Sequence, residues 1–270
     1  MGRRPLALDL FCGAGGMSEG LRRAGFDVTA VDNRPMPHHQ GGEFIQADAL
    51  TFPLEGFDFI HASPPCQAFT SLRHLHPDRA YPDLVDPIRQ RLIAAGVPYS
   101  IENVPGAPLG NPESYLILLC GTMFGLTTPG GRAELRRHRL FETNFFIFPH
   151  PICRHGGDAL SVTGSGLDHN RERHVSRRRA LSVTGHAVEI SPTNWGAQKR
   201  RAISVIGNQS YTNLERNQVR ELFSIEDARA AMGIDWPMPM KYLSQAIPPT
   251  YGEFIGRAAM AEVLHRRATA

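Results

Sequence analysis

The chain has 270 residues, a formal charge of +3 and 41% hydrophobic side chains with a further 26 glycines, a composition that excludes intrinsic disorder and leaves room for one large domain carrying a smaller one. Asp9 interrupts the short apolar run near the amino terminus and no stretch is apolar over the length of a membrane span, so a cytoplasmic protein is expected, with no membrane partner. The four cysteines, Cys12, Cys66, Cys120 and Cys153, are too widely separated for a zinc knuckle and too few for a disulfide scaffold.

In chain order, LALDLF at 6–11 predicts a strand running into the glycine-rich turn CGAGG at 12–16. A helix is predicted over 17–24, with Gly25 to stop it. FDVTAVD predicts a strand ending at Asp32 and FIQAD another ending at Asp48; FDFIHAS leads into Pro64 and Pro65, and VPYSIEN ends at Glu102. Between the last two, 84–95 predicts a helix with Leu84, Ile88, Leu92 and Ala95 toward one side, ended by Gly96. Acidic or reactive residues thus recur where strands end. An open α/β sheet builds a site in this way, because successive carboxyl ends deliver their loops to one crevice.

After about residue 147 the pattern changes. ALSVTG at 159–164, ALSVTG at 180–185 and AISVIG at 202–207 recur at offsets of 21 and 22 residues. The segment 150–205 holds nine basic and four acidic side chains, a net +5 that leaves −2 for the rest of the chain. These features predict a small β-rich insertion, 149–215, whose basic turns meet a polyanion. Ser224 and Asp227 form a capping-box pattern that opens a helix to Met232, before Gly233. A final helix is expected over 251–265 with Phe254, Ile255, Ala258, Ala261 and Leu264 against the core. The larger domain is then discontinuous, 1–148 plus 216–270.

Three segments carry chemistry. The turn after the first strand has glycines at 13, 15 and 16 and then at 20, which departs from the G-x-G-x-x-G of a dinucleotide site; with Asp32 lying 23 residues beyond Asp9, it suits a mononucleoside instead. Pro64 and Pro65 stiffen the approach to Cys66 and Gln67. Residues 68–80, with Phe69, Arg73, His74, His76 and Arg79, suit a cover over an anionic substrate better than a core. Glu102 is placed to exchange a proton beside Cys66 if the two strand ends converge, with Asn103 holding the loop or the substrate. Taken singly, a cysteine is more often a packing group and a strand-end glutamate more often faces water. No metal is expected. His150, Cys153 and His155 lie close in sequence without an evident fourth ligand, Cys12 and Cys120 are expected to pack near strands, and Trp195 and Trp236 to act as local anchors.

FCGAGG at 11–16, Asp32, Asp48, PPCQ at 64–67, ENV at 102–104, RHRLFE at 137–142 and the late MGIDW and IPPTYGEFIG segments follow one another as in the DNA cytosine carbon-5 methyltransferase family, which the sequence strongly resembles. The resemblance implies a Rossmann-like S-adenosylmethionine-dependent methyltransferase domain, with the β-rich insertion as the target-recognition region. By it, Phe11, Gly13, Ala14, Gly15, Gly16, Asp32, Asp48 and Pro64 would bind S-adenosylmethionine. Cys66 would be the nucleophile, with Glu102 and Arg139 as its catalytic partners. Gln67, Asn103, Arg137, Arg173, Arg178 and Arg200 would meet the substrate, double-stranded DNA containing cytosine, and a monomer is expected. One departure stands out: where the family has a glycine-asparagine pair, this chain has Ser244 and Gln245 before Ala246, Ile247, Pro248 and Pro249. Two other outcomes follow from that departure and from the basic insertion: a DNA-binding module of the same architecture with little or no turnover, and an RNA cytosine methyltransferase.

Overall fold

The computed structural model describes residues 3–69, 81–147, 152–156, 159–163, 202–206 and 224–269. The elements are β1 (Leu6–Leu10), α1 (Gly16–Arg23), β2 (Asp27–Asp32), β3 (Glu43–Gln46), β4 (Phe59–Ala62), α2 (Val85–Ala95), β5 (Tyr99–Asn103), β6 (Tyr115–Leu119), β7 (Glu134–Leu135), β8 (Arg139–Thr143), β9 (Ala159–Thr163), β10 (Ala202–Ile206), α3 (Ile225–Met232), α4 (Met240–Leu243) and α5 (Pro249–Thr269). Seven strands form one sheet in the order β3-β2-β1-β4-β5-β8-β6. β3, β2, β1, β4 and β5 are mutually parallel, while β8 runs antiparallel to both of its neighbours. The chain moves outward from β1 to β3 and then returns to place β4 on the other side of β1. That reversal opens a crevice at the carboxyl ends of β1 and β4, the position where open α/β sheets take their ligands.

Alternation along the strands sends side chains to opposite faces. Leu8 and Leu10 of β1 pack with Ile60, Ile101 and the α2 residues Ile88 and Leu92. Ala7, Phe59 and Phe141 face the other layer, made by Met17 and Leu21 of α1 and by Tyr251, Ile255, Ala259 and Val263 of α5. Ala261 and Leu264, expected in the core, are exposed instead. The reason is close approach between helices: a Cβ on Gly20 would stand 2.4 Å from the Pro249 carbonyl oxygen and 2.6 Å from the Gly252 Cα. Gly20 and Gly252 thus bring α5 close to α1 and set its rotation, so that its buried face runs through Tyr251, Ile255, Ala259 and Val263 and leaves Ala261 and Leu264 outward.

Local signals placed the smaller elements well. The Ser224 hydroxyl accepts from the Asp227 amide at 3.0 Å while the Asp227 carboxylate accepts from the Ser224 amide at 3.0 Å, and Gly233 closes α3 in the left-handed conformation. Strands β9 and β10, two of the three repeated segments, pair parallel and in register from Ala159 with Ala202 to Thr163 with Ile206. β7 adds to β9, so this second sheet begins within the first 148 residues. A separate apolar cluster joins Leu135 and Leu160 to Ala228, Met232 and Trp236 and reaches Ala14 beside the glycine turn; Trp236 is the anchor expected of it. The middle repeat at 180–185, the basic side chains between 171 and 201, His150 and Trp195 lie outside the described residues. Among those described, no helix is long and apolar enough to cross a membrane.

Candidate active site

Sheet topology brings three distant residues to one edge. β4 and β5 are parallel neighbours with Ala62 opposite Ile101, so Cys66, four residues past β4, emerges beside Glu102, the penultimate residue of β5. β8 runs the other way, pairing Phe141 with Glu102 and Leu140 with Asn103. It therefore begins where β5 ends, and its first residue, Arg139, sets its Nε 2.8 Å from Glu102 Oε1. Asn103 locks the two loops together: its Nδ2 donates to the Pro64 carbonyl at 2.9 Å, and its Oδ1 accepts from the Val104 amide at 2.9 Å. The Cys66 carbonyl accepts from the Phe69 amide at 2.9 Å, turning the chain toward residues 70–80, which lie outside the description. Gln67 is exposed beside Cys66.

The electrostatics tie the same groups to one another. Burial pushes the Glu102 carboxyl above its ordinary range, against the pull of Arg139, Arg137 and the Ser63 hydroxyl. Burial also pushes the Cys66 thiol up; the charge of Arg139 draws it down, that of Glu102 raises it, and that of Arg137 lowers it. A dry carboxyl group that favours its proton and a thiol flanked by two cations are matched to adding sulfur to an electrophile and protonating the product. Arg137 is 1% exposed. Its Nη2 donates to the Ser244 carbonyl at 2.8 Å, and the Tyr251 hydroxyl donates to the Arg137 carbonyl at 2.6 Å. Burial lowers its guanidinium to about 9, so it remains charged at neutral pH. Arg137 thus joins the returning carboxyl-terminal segment to the site.

A hydrogen-bonded row behind Glu102 escaped the sequence reading. His61 of β4 is fully buried; its Nδ1 lies 2.7 Å from Ser100 Oγ and its Nε2 lies 2.7 Å from Ser63 Oγ. Burial lowers the imidazole to about 3 and keeps it neutral. Ser63 in turn pulls the Glu102 carboxyl down against its burial, which ties the row to the site. The only sequence signal was a histidine inside an otherwise apolar strand.

At the neighbouring crevice the glycine turn offers room and carboxylates. Phe11 takes a φ of 60° and Gly13 a φ of 52°, and a Cβ built on Gly13 would have no heavy atom within 4 Å. The Gly13 amide donates to Asp32 at 3.1 Å. Beneath the turn, Asp9 receives the Ser18 hydroxyl on Oδ2 while its Oδ1 is buried with no hydrogen-bond partner. Burial raises Asp9 to about 7; Ser18 opposes that rise, and Asp32 and Glu102 add to it. Ala14, Gly15 and Gly16 are buried, and a Cβ on Gly16 would stand 2.0 Å from the Ile247 carbonyl oxygen. Asp48 is exposed at the end of the β3 loop, accepting from the Leu50 amide at 2.9 Å, and Pro64 is buried. An open glycine turn with an unfilled carboxylate oxygen below it and Asp32 beside it fits a ligand bearing hydroxyl donors and positive charge, as S-adenosylmethionine does. Gln245 is exposed, but the segment it interrupts spans both halves of the site, through Ser244 to Arg137 and through Ile247 to Gly16.

One further expectation lies outside the described residues, and another meets a different arrangement. Arg173, Arg178 and Arg200 fall outside the described residues. Cys153 and His155 are joined by Cys120 and His138, the partners the sequence did not reveal, and the four ligand atoms lie within 4.8 Å of one another. Register explains the meeting: β6 pairs Leu119 with Arg139, and one step further along the same ladder sets Cys120 beside His138.

No protein-family model matches the chain and no curated protein does. Solved structures do. A candidate DNA modification methyltransferase encoded within an E. coli prophage is 16% identical, with 97% of this chain and 99% of that one covered, at a TM-score of 0.53. The methyltransferase EhMeth of Entamoeba histolytica is 12% identical over 97% and 99% of the two chains, at 0.52. DNMT2 of Spodoptera frugiperda is 14% identical over 95% and 99%, at 0.51. The shared property is the fold, along nearly the whole of each chain, and it is the Rossmann-like methyltransferase fold expected from the sequence.

Proposed function

We propose that this chain transfers a methyl group from S-adenosylmethionine to carbon 5 of a cytosine in double-stranded DNA, through a transient covalent bond to Cys66. The observation that carries the reading is the meeting of Cys66, Glu102 and Arg139 at adjacent strand ends, beside an open glycine turn. Carbon 5 of cytosine is a weak nucleophile. Addition of the Cys66 sulfur to carbon 6 makes an enamine of the ring, and the positive charges of Arg139 and Arg137 favour the thiolate that must attack. Glu102, holding its proton through burial, donates to ring nitrogen 3 as electron density accumulates there. Arg139 orients Glu102 and the base, and Asn103 holds the Cys66 loop in reach. Phe11, Gly13, Asp32 and Asp48 would hold S-adenosylmethionine, which supplies an electrophilic methyl group when bound. Loss of the carbon 5 proton to water, its electron pair re-forming the ring double bond as the carbon–sulfur bond breaks, then returns free Cys66, and the proton on ring nitrogen 3 goes back to Glu102.

A cytosine within a duplex must leave the stack to reach this edge, at a cost of a few kcal/mol. Residues 68–80 and Arg173, Arg178 and Arg200 are proposed to offset that cost, mainly through the phosphate backbone.

Base-resolution mapping of methylation on mixed-sequence duplex DNA tests the reading. It should find 5-methylcytosine with the wild-type chain and none with Cys66→Ala, and a 5-fluorocytosine duplex should trap a covalent adduct only when Cys66 is present. Turnover by folded Cys66→Ala would remove the nucleophile. Product on structured RNA alone would move the substrate class, and specific duplex binding without product would reduce the chain to a binding module.

A further inference from the structure

We propose that Cys120, His138, Cys153 and His155 hold one zinc ion in a closed, structural site beside the catalytic edge. The four residues come from three separate places: the end of β6, the approach to β8 and the described loop 152–156. Cys153 Sγ lies 2.8 Å from His155 Nε2 and 3.4 Å from His138 Nε2, and Cys120 Sγ lies 3.4 Å from His155 Nε2. Zinc bonds of about 2.3 Å to sulfur and about 2.0 Å to nitrogen at tetrahedral angles put ligand atoms about 3.3 to 3.8 Å apart. Two of the three distances fall in that range and all four ligand atoms lie within 4.8 Å of one another, so side-chain shifts of about an ångström complete a coordination sphere.

Chemistry selects the ion. Two thiols hold two protons between them, and hydrogen bonding alone gives no reason for two sulfurs and two ring nitrogens to converge on one point. A divalent cation does, and with two thiolates it leaves the cluster neutral, which suits a site where Cys120 and His138 are buried. A Cys2His2 set at tetrahedral spacing favours zinc over harder ions, and four protein ligands leave no open position for substrate. The Thr122 hydroxyl, 3.3 Å from Cys120 Sγ and 3.7 Å from Cys153 Sγ, supplies an outer hydrogen bond to the sulfurs.

The consequence is positional. His138 stands between Arg137 and Arg139, so a metal that fixes His138 also fixes the start of β8 and with it the Arg139 contact to Glu102. It ties the same point to residues 152–156, through which the chain passes on its way to β9. His138 and its partners would act through Arg139 as positioning residues.

Elemental analysis of the purified full chain, with its thiols counted, should give one zinc per chain. Cobalt exchanged for zinc should show tetrahedral d–d bands with thiolate charge transfer. Cys153→Ser and His155→Ala, on the partly exposed loop, should keep the circular dichroism of the wild type and each weaken metal affinity by about 100-fold, one ligand's share of a structural site. A chain with four reduced thiols that remains metal-free after zinc addition would overturn the proposal. So would an octahedral cobalt spectrum, a Cys120–Cys153 disulfide in peptide mapping, or unchanged affinity in both variants. None of these readouts depends on methyl transfer.

Discussion

Two buried arginine–glutamate pairs share strand β8, and they differ in how completely they are satisfied. Glu142 is fully buried and accepts from Arg89 Nε and Nη2 at 2.9 Å each, from the Gly110 amide at 2.7 Å and from Asn111 Nδ2 at 3.1 Å. Arg89 also donates to the Pro108 carbonyl at 2.6 Å and pairs with Asp86. Three residues along the same strand, Arg139 faces Glu102 at 2.8 Å, yet Glu102 Oε1 accepts no aligned hydrogen bond. A saturated pair holds α2, the 108–111 loop and the sheet together. An incompletely satisfied one retains a carboxyl group whose remaining valence is free for a ligand, and its burial favours the protonated form. Residue type is the same in both; the count of donors separates scaffold from site.

The contrast can be broken by substitution. Glu142→Ala leaves a buried Arg89, the Gly110 amide and Asn111 Nδ2 without their acceptor, and should cost about 3–5 kcal/mol in urea unfolding; a loss under about 1 kcal/mol would erase the distinction. Glu102→Gln keeps the shape of its side chain but cannot supply the proton. Its unfolding midpoint should change little, while methyl transfer falls by about 100- to 1000-fold, and an equal loss of stability in both variants would make Glu102 a second scaffold pair. Asp9 belongs with the unsaturated group. Its folded value of about 7 against an ordinary 3.8 means that its contribution is complete below about pH 4 and lost as pH rises through 7. Wild-type stability should therefore fall by a few kcal/mol at most across that window, and Asp9→Asn should flatten the slope; parallel slopes would show that the carboxyl group titrates normally. The smallest effect is expected of Ser63→Ala, which removes the link between His61 and Glu102. Turnover should drop about tenfold, the worth of one hydrogen bond to an ionisable group, with the pH profile displaced because Ser63 no longer holds the Glu102 proton equilibrium down. An unchanged profile would confine Ser63 to packing.

Much of the sheet was legible because its signals are local. The glycine turn after LALDL, the Ser224–Asp227 cap and Gly96 after α2 each declare themselves within a few residues. The loops carrying Cys66 and Glu102 were also legible, since both follow strands of one parallel set. What could not be read was pairing between distant segments. The antiparallel direction of β8 decides that Arg139 meets Glu102 and that His138 meets Cys120; the family resemblance at 137–142 put Arg139 at the pocket, but no local signal gave the strand direction or the His138 pairing. The face of α5 was misjudged for a related reason: Leu264 is apolar, but contact with α1 is set by Gly20 and Gly252, whose signal is the absence of a side chain. His61, Ser63 and Ser100 form a row only once β4 and β5 are aligned.

The seat that Ile247 and Pro249 make beneath the glycine turn has a consequence for the order in which the molecule can be completed on the ribosome. The β1–α1 unit receives its packing partner more than two hundred residues later, after the whole basic segment. Gly16 and Gly20 meet the Ile247 and Pro249 carbonyls only when that late segment is in place. Translation thus withholds a finished crevice from the growing chain until α5 arrives.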